Sequence, residues 1–181
     1  MYGSITPNLS FMINYLFVLL VHVFAAMFWV GGIIFYVLVI IAVIRDSDLK
    51  NVKLILLEKT ALKFRKVSYV TFLILTISGT CLLYTKGYLL VSHNLEQSLV
   101  SIPPIFLVKI SLFLILLISS LYHDYVSGPA AFSYAETDPL RFDKFRKRSA
   151  LFGRLNLFLS IMIAIFGVLG SRGVMSFPVS F

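Results

Sequence analysis

The chain has 181 residues, 59% of them hydrophobic and only 13% charged, with a mean hydropathy of +0.95. A charged share about half that of a soluble domain leaves too little polar surface to keep the chain in water. The net charge of +8 does not call for nucleic acid, because the basic residues gather in two connectors between apolar blocks, as positive cytoplasmic loops of a membrane protein do.

The first apolar block runs from Phe11 to about Ile44, interrupted only by His22 and the pair Gly31-Gly32. A span needs about 20 residues to cross a hydrocarbon core of about 30 Å, so this block is long enough to tilt or to emerge beyond it. No Lys or Arg precedes it and it exceeds a signal-peptide core, so it reads as a retained span. Residues 45–66 then carry seven basic side chains against three acidic. Within them LKNVKLILLEKTALKFRK, residues 49–66, interleaves apolar and basic residues at helical spacing and predicts a short cytoplasmic or interfacial helix between spans 1 and 2.

The second span is expected over about Val67 to Val91, the third over Pro104 to Tyr125 and the fourth over about Ala150 to Ser171. Pro103-Pro104 is a helix start and Gly128-Pro129 a stop signal. Residues 124–150 hold Arg141, Lys144, Arg146, Lys147 and Arg148 against four acidic residues, whereas residues 92–103 hold only Glu96. Both basic connectors therefore belong in the cytoplasm and both termini outside. The expected architecture is all-α: one transmembrane domain over residues 1–181, an integral four-helix bundle with antiparallel spans, set in a bacterial plasma (inner) membrane. Cys81, the single cysteine, excludes an intrachain disulfide or a CxxC pair.

Polar residues inside these blocks are the candidate chemistry. His22, in LLVHVFAAMFWVGG, sits near mid-membrane, with Ala25, Ala26 and Trp29 on its side of the helix. A neutral imidazole in a dry site suits a haem iron or copper, and it also suits a hydrogen bond across the bundle. His123 ends the third span beside Asp124, which points about 100° away on a regular helix and so is not automatically its partner. His22 lies about eleven residues from the outer end and His123 about nineteen, a difference of roughly 12 Å, whereas two axial ligands of one haem need nearly the same level. His93 stands in the short outer connector.

Lys109 lies about one turn inside the third span, where it either snorkels to headgroups or faces inward toward an anion such as a haem propionate. No carboxylate occurs in the first, second or fourth span to meet it there. In the fourth span Gly153, Asn156, Ser160, Ala164, Gly167 and Ser171 form a small-polar packing face, and Arg154 beside it either reaches headgroups or clamps an acid group at the inner rim. Thr76, Ser78, Gly79 and Thr80 offer packing and local backbone bonds but no catalysis. Met12, Met27, Met162 and Met175 are too scattered to make a copper cluster.

The segments HVFAAMFWVGGIIF (22–35), FRKVSYVTFLILTISGT (64–80), LYHDYVSGP (121–129), FGRLNLFL (152–159) and GVLGSRG (167–173), together with Lys109, resemble the four-span membrane proteins of the copper-resistance D type. These are related in turn to the HemJ protoporphyrinogen oxidases. The resemblance implies an antiparallel bundle, copper uptake or tolerance in one branch, and b-type haem with oxidation of protoporphyrinogen IX in the other. It maps the family's histidines onto His22 and His123, its lysine onto Lys109, and its arginine and asparagine onto Arg154 and Asn156. Leu157 and Phe158 stand where the HemJ branch has an acidic residue and a proline.

Three functions follow as expectations: a b-haem membrane protein in electron transfer, with haem bound by His22, Lys109, His123, Arg154 and Asn156 and iron by His22 and His123; a copper-handling membrane protein; and an accessory subunit whose polar residues only bond helices together. The partners they imply are membrane lipid, haem or a porphyrin, a membrane or periplasmic redox partner, and a second copy of the chain as a homo-oligomer.

Overall fold

A computed structural model describes residues 9–49, 52–88 and 102–175. His93 and Glu96 lie outside them. Four long helices carry the fold: α1 (Leu9–Ile44), α2 (Lys53–Thr85), α3 (Pro104–Ser133) and α4 (Pro139–Ser171), each long and apolar enough to cross a membrane. The chain is an all-helical, multi-pass membrane protein.

The helices do not end where the hydrophobic blocks do. Residues 53–66 form no helix of their own but are the first turns of α2, because the chain from Lys53 to Ser78 contains neither Gly nor Pro to break it. The C-terminus of α2 comes at Thr85, short of the expected Val91. There Gly87 takes a left-handed φ of +71°, its N–H bonds the Tyr84 carbonyl, and the Tyr88 N–H bonds that of Leu83. This is a Schellman stop, and glycine supplies the positive φ without steric cost. α4 ends on the same device at Gly173 (φ +86°), with Val174 N–H bonded to Leu169. At its start, Asp138 accepts from Arg141 N–H at 3.0 Å and Pro139 fills the first position, so α4 begins eleven residues before the expected Ala150.

The Gly128-Pro129 pair does not stop α3. The helix runs on to Ser133 through a π-helical turn over His123–Ser127, where Gly128 N–H bonds the His123 carbonyl five residues back. Proline has no N–H to give and its ring would crowd the carbonyl four residues earlier, and the wider turn absorbs both defects. The approach is close: a Cβ on Gly128 would lie 3.0 Å from the His123 oxygen. A second π turn, Tyr36–Ile40, interrupts α1.

Contacts fix how the helices pair. From His22 through Trp29 to Tyr36, α1 meets Ser78, Phe72 and Thr60 of α2 in descending order. Lys109, Ser119 and Tyr122 of α3 meet Gly167, Asn156 and Phe152 of α4 in the same reversed sense. The core between the pairs gathers Trp29, Ile33, Phe72, Leu116 and Leu159. Phe17, Phe24, Ile118 and Val168 are at least 60% exposed on the outer faces, where lipid covers them in the bilayer.

Candidate functional site

The polar side chains of the bundle fall into three levels. At the middle level, Trp29 Nε1 donates to Ser160 Oγ at 2.8 Å, and Ser160 passes its own proton to the Asn156 carbonyl at 2.6 Å. One turn deeper, the Asn156 carboxamide is fully engaged: Ser119 Oγ donates to Oδ1 at 2.6 Å, and Nδ2 donates to Ser120 Oγ at 3.1 Å. Asn156 is 6% exposed and Ser160 1%. This chain of bonds ties α1, α3 and α4 together. The expected small-polar face of α4 thus exists at its centre, but its asparagine serves the bundle.

A second level lies two turns from that lock, toward the N-terminus of α1. His22 is seven residues before Trp29 and Gly167 seven after Ser160, which brings them to one height on antiparallel helices. His22 Nδ1 meets Ser78 Oγ at 2.8 Å, and Ser78 also bonds the Ile74 carbonyl at 2.6 Å. A carbonyl only accepts, so the single serine proton goes to Ile74 and the imidazole must donate from Nδ1. In the neutral ring the lone pair then lies on Nε2, and the Leu75 backbone is a further hydrogen-bond partner of the imidazole. Gly79 makes room for the ring, since a Cβ there would sit 3.3 Å from Cε1. Lys109 comes in from α3 at this level: its Nζ lies 3.4 Å from where a Cβ of Gly167 would be. It is half-buried, and no carboxylate lies within 4.0 Å of it among the described residues.

At the third level, toward the N-terminus of α2, His123 Nδ1 bonds Asp124 Oδ1 at 2.8 Å, although the two are adjacent in sequence. Asp124 Oδ2 accepts from Tyr69 OH at 3.2 Å, and the Asp124 carbonyl accepts from Arg65 at 3.0 Å. The Arg65 guanidinium lies over the Tyr125 ring at 5.1 Å. A carboxylate only accepts, so His123 also donates from Nδ1. This network of Arg65, Tyr69 and Asp124 went unseen in the sequence. Its one local signal was the Gly128-Pro129 pair, which demands a distorted turn just where His123 and Asp124 meet.

The structure brings His22 and Lys109 together and keeps His123 apart from them. Measured along α2, Ser78 marks the level of His22 and Tyr69 that of His123, and nine residues separate them, about 14 Å of rise. Arg154 is exposed on α4, two residues and about 200° around from the buried Asn156. Met12 and Met27 are exposed, and Met175 takes part only through its carbonyl, which accepts from Ile105 N–H at 3.4 Å. Among the described residues no three His, Cys, Asp or Glu side chains gather to hold a metal ion. His93, a further candidate, is outside the described residues. No family model, no curated protein and no solved structure matches this chain.

Proposed function

We propose that this chain is a membrane redox protein of the copper-resistance D type that holds a b-type haem on His22, with both termini on the outer face of a bacterial plasma membrane. One observation carries the proposal: an imidazole held at Nδ1 by Ser78 sits at the same level as an inward lysine that has no carboxylate beside it among the described residues. That donor set fits a metalloporphyrin, whose metal takes a neutral imidazole and whose carboxylates take a buried cation. Haem, when bound, supplies one-electron chemistry.

The protein's part is positional. Ser78 fixes the tautomer and aim of His22, Lys109 offers charge to an acid group, and Gly79 and Gly167 keep α2 and α4 clear of both side chains. His123 lies too deep to serve the same metal from the opposite side, so His22 works without it. Asn156 and Arg154 do not join this site, the first being engaged with serines and the second facing outward.

A copper-handling role is the second reading, and one observation favours it. Two imidazoles, each fixed at Nδ1, stand at two depths of one bundle, as successive stations for a soft cation would.

Visible spectra of the detergent-purified protein, oxidised and then dithionite-reduced, test the proposal beside His22→Ala, His123→Ala and Lys109→Met. The expected result is a Soret band that shifts on reduction, vanishes in His22→Ala and survives in His123→Ala. A protein that stays colourless after haem is added overturns the haem assignment. Copper retained by that colourless protein, and lost from both histidine variants, would establish the second reading.

A further inference from the structure

Away from all three polar levels, an open groove of about 740 Å³ runs between α1 and the first half of α2, from Met27 to Ile40 on one wall and along Phe64 on the other. Two glycines shape it. Gly31 faces open space, with nothing within 4 Å of a Cβ placed there, and Gly32 lets the Phe64 ring close in, 3.3 Å from its own notional Cβ. The walls are apolar except at one end, where Tyr36, Thr60, Lys59 and Lys63 gather. The hydroxyls there are satisfied internally: Thr60 donates to the Leu56 carbonyl at 2.8 Å and Tyr36 reaches Thr60 at 3.4 Å. The two lysines are exposed and form no ion pair among the described residues.

We propose that this groove is a binding site for one anionic phospholipid of the inner leaflet, its acyl chain along α1 and its phosphate on Lys59 and Lys63. Length supports a lipid. The fourteen residues from Met27 to Ile40 rise about 20 Å, close to the thickness of one leaflet with its headgroup region. Polarity supports the leaflet, since the groove is apolar toward mid-bilayer and basic where the positive connector begins. Helical side chains tilt toward the helix N-terminus, so both lysines lean out of the hydrocarbon toward the surface at Lys53. Charge argues against a second copy of the chain as occupant. A two-fold contact through this groove would set four lysines against one another with no described carboxylate among its lining residues.

Native mass spectrometry of the full-length protein, released from micelles containing equal amounts of phosphatidylglycerol and phosphatidylcholine with identical chains, tests this. The expected result is roughly tenfold preferential retention of phosphatidylglycerol, in line with two lysines beside an anionic headgroup. Lys59→Gln with Lys63→Gln should bring the two lipids to near-equal retention. Gly31→Phe should lower retention of both, while circular dichroism shows an unchanged helix content. Equal retention by the unaltered protein, or retention indifferent to these substitutions, overturns the proposal. So does a doubled mass that Gly31→Phe abolishes without dependence on lipid, which would make the groove a contact between copies.

Discussion

Replacing Asn156 by leucine separates a residue that holds helices from one that holds a cofactor. The side chain makes two hydrogen bonds, at 2.6 Å from Ser119 and 3.1 Å to Ser120, across the α3–α4 interface. Interhelical bonds of this kind contribute about 0.6 kcal/mol each within a membrane and at most about 1.7, so losing both costs roughly 1 kcal/mol and no more than about 3. The lower figure is favoured because the freed serines can turn back to their own helix. Ser68, Thr71, Thr76 and Ser111 already bond the carbonyl four residues before them. Unfolding by sodium dodecyl sulfate in mixed micelles, followed by circular dichroism, reads the loss, and the absorption spectrum of haem-loaded protein is read in parallel. A fall in stability with an unchanged spectrum is the expected pair of results. Unchanged stability with a shifted spectrum would refute the structural assignment of Asn156 and return it to the cofactor site.

The other predictions use neighbouring contacts. Trp29→Phe and Ser160→Ala, each alone and together, should show a coupling of about 0.6 to 1.7 kcal/mol in the same unfolding assay, and strict additivity would mean the 2.8 Å bond carries no energy. Ser78→Ala leaves His22 in place but frees its ring, so haem affinity, read by titration, should drop about 10- to 100-fold, as loss of an outer-shell partner does. A Cβ on Gly170 would press to 2.8 Å from the Phe106 ring, which itself packs on Tyr88 at 5.8 Å. Gly170→Ala should therefore destabilise by about 1–3 kcal/mol. Gly153, with open space around it, should tolerate alanine and gain about 0.4–1 kcal/mol. Equal effects at the two glycines would count against the α3–α4 packing described here.

The four spans were legible because length and hydropathy alone decide what can cross a bilayer. Their ends were not, since a helix does not stop where hydrophobicity does. α2 and α4 run well into the basic connectors for want of a breaker, and α2 stops early because Gly87 offers a left-handed turn. His22, Lys109 and Asn156 stood out as polar residues in apolar runs, but their partners did not. Ser78, Ser119 and Ser120 look like ordinary small residues until the register of α1 on α2, and of α3 on α4, brings them opposite a polar partner. On a regular helix Asp124 points about 100° away from His123, and the π turn at His123 is what removes that premise.

In this bundle the outward leucines and phenylalanines do little to hold the helices together, because lipid tails are as apolar as they are. Association falls instead on close contacts at glycine and on hydrogen bonds between polar side chains. Every buried side-chain nitrogen and oxygen among the described residues accordingly has a partner. Polar capacity left over after that work is what distinguishes a site from a fastening. Asn156, Ser160 and Trp29 are bonded to one another and to Ser119 and Ser120, whereas Lys109 has no carboxylate partner among the described residues. Lys109 is the sharpest case. A half-buried ammonium near a histidine is held against its preference for water, and a cation placed there without an anion weakens the bundle. Lys109→Met should therefore stabilise the ligand-free protein while weakening its hold on haem, and a lysine that merely snorkels to headgroups would change neither.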